Sequence, residues 1–174
     1  MLLTNQRIAI LLEEGFEDLE FYVPLMRLQE EGARVTVIAP KVATYKGKGG
    51  LLATAEAAFD SIQPSDFDAV VVPGGWAPDK LRRYPAVREL VRSLYDQGKI
   101  VAAICHAGLV LISAGVVRGH KATGSEGIKD DLVNAGATWV DEPAFRDGNL
   151  IWGRVVKDIP DFCRELVHAL ASRQ

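Results

Sequence analysis

With 174 residues, a formal charge of -3 and 48% hydrophobic side chains, the chain can bury about two-thirds of its unfolded surface around one core, and a single domain over residues 1–174 is expected. The charges are intermixed and form no basic stripe of the kind that follows a phosphate backbone, which argues against nucleic acid as a main partner. The first apolar run, ending at Glu13, is only about six residues long, too short for a signal sequence or a membrane span, so the expected address is the cytoplasm with no membrane partner.

In chain order, "RIAILL" (7–12), "RVTVIA" (34–39), "AVVVP" (69–73) and "IVAAI" (100–104) are rich in β-branched residues and apolar at successive positions. That pattern belongs to strands buried on both faces of a parallel sheet. Between the first two, "LMRLQEEG" (25–32) predicts a helix closed by Gly32, with Pro24 marking its first turn or a kink near its start. "GKGGLLAT" (47–54) is expected to begin a hairpin. Before the fourth strand, Val87, Leu90, Val91 and Leu94 fall at i, i+3, i+4 and i+7 and make one apolar helical face. Beyond it, "AGLVLISAG" predicts a buried helix and "EGIKDDLVNAG" an amphipathic one. "AFRDGNLIW" (144–152) predicts a hairpin turning at Asp-Gly-Asn. In the last helix Ile159, Phe162, Cys163, Leu166, Val167 and Leu170 share a face, which assigns Cys163 to the core and leaves His168 in solvent. The fold class is therefore α/β, a mainly parallel sheet with helices on both faces.

Ligands of open parallel sheets gather at the carboxyl ends of the strands. Here the first strand runs into "EEGFEDLE", the third into "PGGW" and the fourth into "CHAG". A nucleophile on a sharp strand-to-helix turn stands clear of its own backbone, and the following amides favour thiolate over thiol. Cys105 occupies such a turn, among the small residues Ala103, Ala107 and Gly108. His106 is a candidate proton carrier, although its main-chain N–H is the more secure contribution. Gly75 and the His106 amide are candidate oxyanion donors. Glu17, Asp18 and Glu20 read as helix-start acids, and one that faces the crevice in protonated form would donate to the thiolate. The two cysteines lie too far apart in sequence for a tight framework and no zinc spacing occurs, so free thiols and no metal are expected.

With these residues, the sequence resembles the PfpI (protease I) branch of the ThiJ/PfpI family, whose members share a class I glutamine-amidotransferase-like fold. "FEDLE", "RLQEEGARVTVIAP", "FDAVVVPGGWAPDKLR", "GKIVAAICHAG", "LISAGVVRG", "GIKDDLVNAGATWVDEP" and "DIPDFCREL" carry the resemblance over nearly the whole chain. It implies a flavodoxin-like sandwich with Cys105 as nucleophile on an elbow in a slightly strained conformation, His106 as general base or acid, and Glu20 as the carboxyl bonded to sulfur. Glu17 would stand at the pocket mouth, with Trp76, Ser125 and Arg154 lining the pocket. The third triad member is implied to come from a neighbouring subunit, at the position of Asp79, so a dimer or a hexamer is expected. The chain departs from the family at "TGSE" (123–126), where Ser125 stands for a tyrosine, at "IWGRVV", and at "CHAG".

The resemblance implies a cysteine-dependent stress-response hydrolase. Its substrates would be glyoxal, methylglyoxal or their protein adducts, as in deglycases and glyoxalases, or peptides, as in an intracellular cysteine peptidase. No cofactor is called for. The alternative is a redox sensor or chaperone that works through oxidation of Cys105. A glutamine amidotransferase would need a downstream His-x-Glu, which neither His120 nor His168 provides.

Overall fold

The computed structural model describes residues 1–173. Its strands and helices are β1 (Arg7–Leu11), α1 (Asp18–Glu30), β2 (Arg34–Ala39), β3 (Thr44–Lys46), β4 (Leu52–Thr54), β5 (Ala57–Ala58), β6 (Ala69–Val72), α2 (Ala77–Leu81), α3 (Pro85–Asp96), β7 (Ile100–Ile104), α4 (Gly108–Ser113), β8 (Lys121–Ala122), α5 (Lys129–Asn134), β9 (Thr138–Trp139), β10 (Ala144–Asp147), β11 (Leu150–Gly153) and α6 (Ile159–Ala171). Short 3-10 turns join several of them.

Seven strands form the main sheet in the order β10-β11-β7-β6-β1-β2-β5. All pair in parallel except β10, which returns antiparallel on β11 at one edge. The four continuous apolar runs of the sequence are β1, β2, β6 and β7, and every residue of β6 and β7 is buried. Helices α1 and α6 pack together, and α6 also lies on β7, β10 and β11, whereas α3 packs against β6 and β7. From β1 the chain crosses to β2 on one side and, later, to β6 on the other, so the order reverses between β1 and β6. That switch point opens a crevice beyond the strands' carboxyl ends.

Two sequence expectations need correction. The first helix starts at Asp18, not near Leu25, and Pro24 lies inside it. Its buried face is Glu20, Phe21, Pro24 and Leu28, a helical spacing that packs well enough to outweigh the one backbone bond Pro24 cannot donate. Residues 47–51 are the turn of a hairpin whose first strand is Thr44–Lys46, rather than that hairpin's start. The 144–152 hairpin and the buried face of α6 form as expected, with Cys163 in the core and His168 exposed.

Candidate functional site at the switch point

Three loops meet where the strand order reverses. The loop after β1 and the loop after β6 are tied by an isolated bridge between Phe16 and Gly75. The Glu17 amide donates to the Gly74 carbonyl at 3.1 Å and the Trp76 amide to the Gly15 carbonyl at 2.8 Å. Gly75 has φ of +83°, and a Cβ there would come within 2.4 Å of the Glu17 nitrogen, so the turn tolerates no side chain. Its neighbour Gly74 is just as confined, because a Cβ would meet Glu20 Oε2 at 2.3 Å and Cys105 Cβ at 2.9 Å.

Beside this junction, β7 ends and Cys105 begins a 3-10 turn that leads into α4. Its φ is +60°, and it is the only residue other than glycine with positive φ among those described. Such a left-handed conformation costs a cysteine about 1–3 kcal/mol and throws the side chain clear of the strand towards the crevice. The segment after β8 secures the turn through its backbone. The Ser125 amide donates to the Cys105 carbonyl at 3.3 Å, and a Cβ at Gly124 would stand 2.6 Å from that same carbonyl oxygen. The departure "TGSE" thus serves the elbow through its backbone.

The half-buried Cys105 sulfur lies 3.3 Å from His106 Nδ1 and beside the fully buried carboxyl of Glu20. Helix α1 sets this carboxyl in place. Glu17 caps the helix by accepting from the Glu20 amide at 2.8 Å, and Glu20, one turn later, accepts from the Gly74 amide through Oε2 at 2.8 Å. Its other oxygen, Oε1, is buried and has the Cys105 sulfur as the partner to which its proton is directed. Burial pushes the Glu20 carboxyl up to about 8, and the charge of Glu17 pushes in the same direction. Glu20 is therefore protonated at neutral pH.

Burial also pushes the Cys105 thiol up, to about 12, with a charged Glu20 acting the same way and the His106 amide and Lys48 opposing them. The elbow alone thus does not create a thiolate, contrary to the sequence expectation; its backbone amide is outweighed by desolvation. The like-charge penalty disappears when Glu20 keeps its proton, so the thiolate becomes accessible only in the company of a neutral carboxyl. His106 is shifted down, first by desolvation and then by Lys48, and its imidazole is neutral and able to accept a proton.

Cys105, His106, Glu20, Glu17, Gly75, Trp76, Asp79 and Ser125 all border one cleft of about 810 Å³. Trp76 is largely exposed at its rim. Two predicted residues have other partners. Asp79 forms an ion pair with Arg83 of its own helix end and makes no bond to His106 within this chain. Arg154 faces a neighbouring depression of about 430 Å³, where Asp158 at 2.9 Å and Asp141 at 2.9 Å occupy its guanidinium; it is not in the Cys105 cleft. Sequence reasoning missed Lys48, Lys80 and Lys157, which do border that cleft. The "GKGG" turn was the available signal for Lys48. Among the described residues no cluster of His, Cys, Asp and Glu is suited to hold a metal ion.

A mostly parallel, doubly wound sheet with a strained cysteine at its switch point is a flavodoxin-like fold with a nucleophile elbow, the fold of the DJ-1/ThiJ/PfpI structures. The chain belongs to the DJ-1/PfpI family, whose model matches residues 6–169. It is 43% identical over 164 residues to a deglycase of Pyrococcus abyssi, covering 94% of this chain and 99% of that protein. It is 40% identical over 164 residues to general stress protein 18 of Bacillus subtilis, covering 92% of this chain and 95% of that one. Among solved structures, a two-domain protein of Anabaena variabilis with DJ-1/ThiJ/PfpI-like and ferritin-like domains superposes with a TM-score of 0.91 at 42% identity. The match covers 97% of this chain and 48% of the longer protein.

Proposed function

We infer that the protein is a cysteine-dependent hydrolase acting on glyoxal, methylglyoxal or their early adducts with proteins, with Cys105 as nucleophile. The observation that carries this reading is the sulfur of Cys105, held out by a left-handed backbone between a neutral imidazole and a buried carboxyl that keeps its proton. In the proposed step the thiol proton passes to His106 Nδ1, the sulfur forms a bond to the carbonyl carbon, and the C=O π pair moves onto oxygen. In this step the Gly75 N–H and the His106 N–H donate to that oxyanion. Glu20 then supplies the proton that leaves it as a hydroxyl. No metal or organic cofactor has a part in this sequence.

Small carbonyls suit the site better than peptides. Expulsion of an amine needs an oriented acid, and among the described residues the ring of His106 has only the Cys105 sulfur as a hydrogen-bond partner. A peptidase activity would need Asp79 of a second subunit to leave Arg83 and meet that ring, which makes an oligomer, a dimer or hexamer, part of the peptidase reading. The deglycase name of the Pyrococcus relative and the stress-protein name of the Bacillus one support the carbonyl reading. No helix among the described residues is long and apolar enough to cross a membrane, and the proposed setting is the cytoplasm, where both cysteines stay free thiols.

The test is a substrate panel of methylglyoxal, a methylglyoxal-modified peptide and an unmodified peptide, assayed with wild type and Cys105→Ala. Turnover of the carbonyl substrates that vanishes in Cys105→Ala is expected. Turnover that survives the substitution refutes the nucleophile. A wild type that turns over none of them, while Cys105 oxidises readily, moves the protein to the redox-sensor alternative.

A further inference from the structure

The turn between β3 and β4 is bolted to the start of α1. Both oxygens of the buried Asp18 are committed to it, accepting from the Gly49 amide at 2.6 Å and the Leu51 amide at 2.7 Å. The Lys48 amide donates to the Phe16 carbonyl at 2.9 Å. A Cβ at Gly49 would press to within 2.9 Å of Asp18 Oδ2, so the clasp depends on glycine at that point. This construction delivers one side chain to the cleft. Lys48 borders it, with Nζ 6.0 Å from the centre of the Trp76 ring, and its charge reaches Glu20, Cys105 and His106 alike.

The charges around the cleft contrast with those of the chain as a whole, which is net acidic at -3. Lys80 and Lys157 join Lys48 on its lining. Of the carboxyls that border the cleft, Asp79 is paired with Arg83 and Glu20 is protonated, which leaves Glu17, the cap of α1, as one negative charge against three lysines. A substrate entering here meets more positive than negative charge, and such a field attracts anions.

We propose that Lys48 is the specificity-determining residue of the cleft, selecting substrates that carry an anionic group, a carboxylate or a phosphate, beside the reacting carbonyl, and that Asp18 is its positioning residue. This assignment rests on the cleft being the carbonyl site inferred above.

The experiment uses methylglyoxal hemithioacetals in matched pairs. N-acetylcysteine and its amide differ only by a carboxylate; 2-mercaptoethyl phosphate and 2-mercaptoethanol differ only by a phosphate. At constant ionic strength, wild type is expected to show kcat/KM about twofold to fivefold higher for the anionic member, the scale of one partly exposed charge pair, with the difference in KM. Lys48→Met should bring the ratio to about one, Lys48→Arg should restore it, and Asp18→Asn should lower it by loosening the turn. Preference in only the carboxylate pair or only the phosphate pair names the group selected. A wild-type ratio near one in both pairs, or an unchanged ratio in Lys48→Met, overturns the proposal. If no hemithioacetal is turned over, the carbonyl reading fails, and the anion site is judged by quenching of tryptophan fluorescence with N-acetylcysteine against its amide, with Trp76→Phe as control. Tighter binding of the acid that is lost in Lys48→Met upholds the site, and equal binding of the two overturns it.

Discussion

The elbow after β7 and the middle of α6 each hold a cysteine whose thiol is shifted upward by burial. Cys163 rises to about 11, with burial as the leading cause and Arg27 opposing it; Cys105 rises to about 12. Ionisation tendency alone therefore does not separate the reactive site from the core. What separates them is company and backbone. Cys163 sits on a regular helix among apolar neighbours, whereas Cys105 has a left-handed φ, a neutral imidazole at 3.3 Å and a carboxyl that holds a proton beside it. A site can thus keep a thiol protonated at rest and still provide a route for the proton and a donor for the charge that replaces it.

The largest expected effect concerns Glu20. Its folded-state pKa of about 8 lies above the ordinary 4.5, so the folded protein binds more protons than the unfolded chain between those values. The associated stability is fully present below pH 4.5 and is lost as pH rises towards 8. At about 1.4 kcal/mol per unit this amounts to ~5 kcal/mol. Urea titrations between pH 5 and 9 should show that decline in wild type and lack most of it in Glu20→Gln; matching slopes would mean Glu20 ionises normally.

Next in size is the activity contrast between the thiols. Cys105→Ala should lower kcat/KM for methylglyoxal by at least about a thousandfold, the equivalent of ~4 kcal/mol, and Cys163→Ala should stay within about twofold. Comparable losses at both positions would erase the distinction drawn here. A smaller effect tests the backbone. Glycine usually costs about 1 kcal/mol relative to alanine, but at φ of +60° Cys105→Gly should be at least as stable as Cys105→Ala by thermal unfolding. A clear advantage for alanine would deny the strain. The last prediction is that thiolate absorbance near 240 nm appears at lower pH in Glu20→Gln than in wild type, because Glu20, at about 8, is ionised before Cys105 titrates and its like charge holds the thiol up. An unshifted titration would break the Glu20–Cys105 pairing.

The strands that hold the elbow were legible in sequence because β6, β7 and, after Arg7, β1 are buried on both faces and therefore apolar at successive steps. The elbow itself was legible because it must follow such a strand. Helix α1 was harder to read. Its buried face includes Glu20 and Pro24, two residue types that break an apolar pattern, and the site's key carboxyl is one of the two. The proton on Glu20 was foreseen only as a condition, since its cause is complete burial, which depends on Gly74 and Cys105 closing over it. Lys48 stayed hidden because a lysine between glycines reads as a solvated turn; only the clasp from Asp18, across some thirty residues of chain, turns it inward. Arg154 was misplaced for the converse reason, as its acidic partners Asp141 and Asp158 claim it first.

The claim on which the account depends is that Glu20 carries a proton beside the sulfur at neutral pH. Infrared difference spectra of wild type minus Glu20→Gln, recorded from pH 5 to 9, test it directly. The account predicts the C=O stretch of a protonated carboxyl at pH 6 that fades with a midpoint near 8. A band that has already vanished by pH 6 would contradict it.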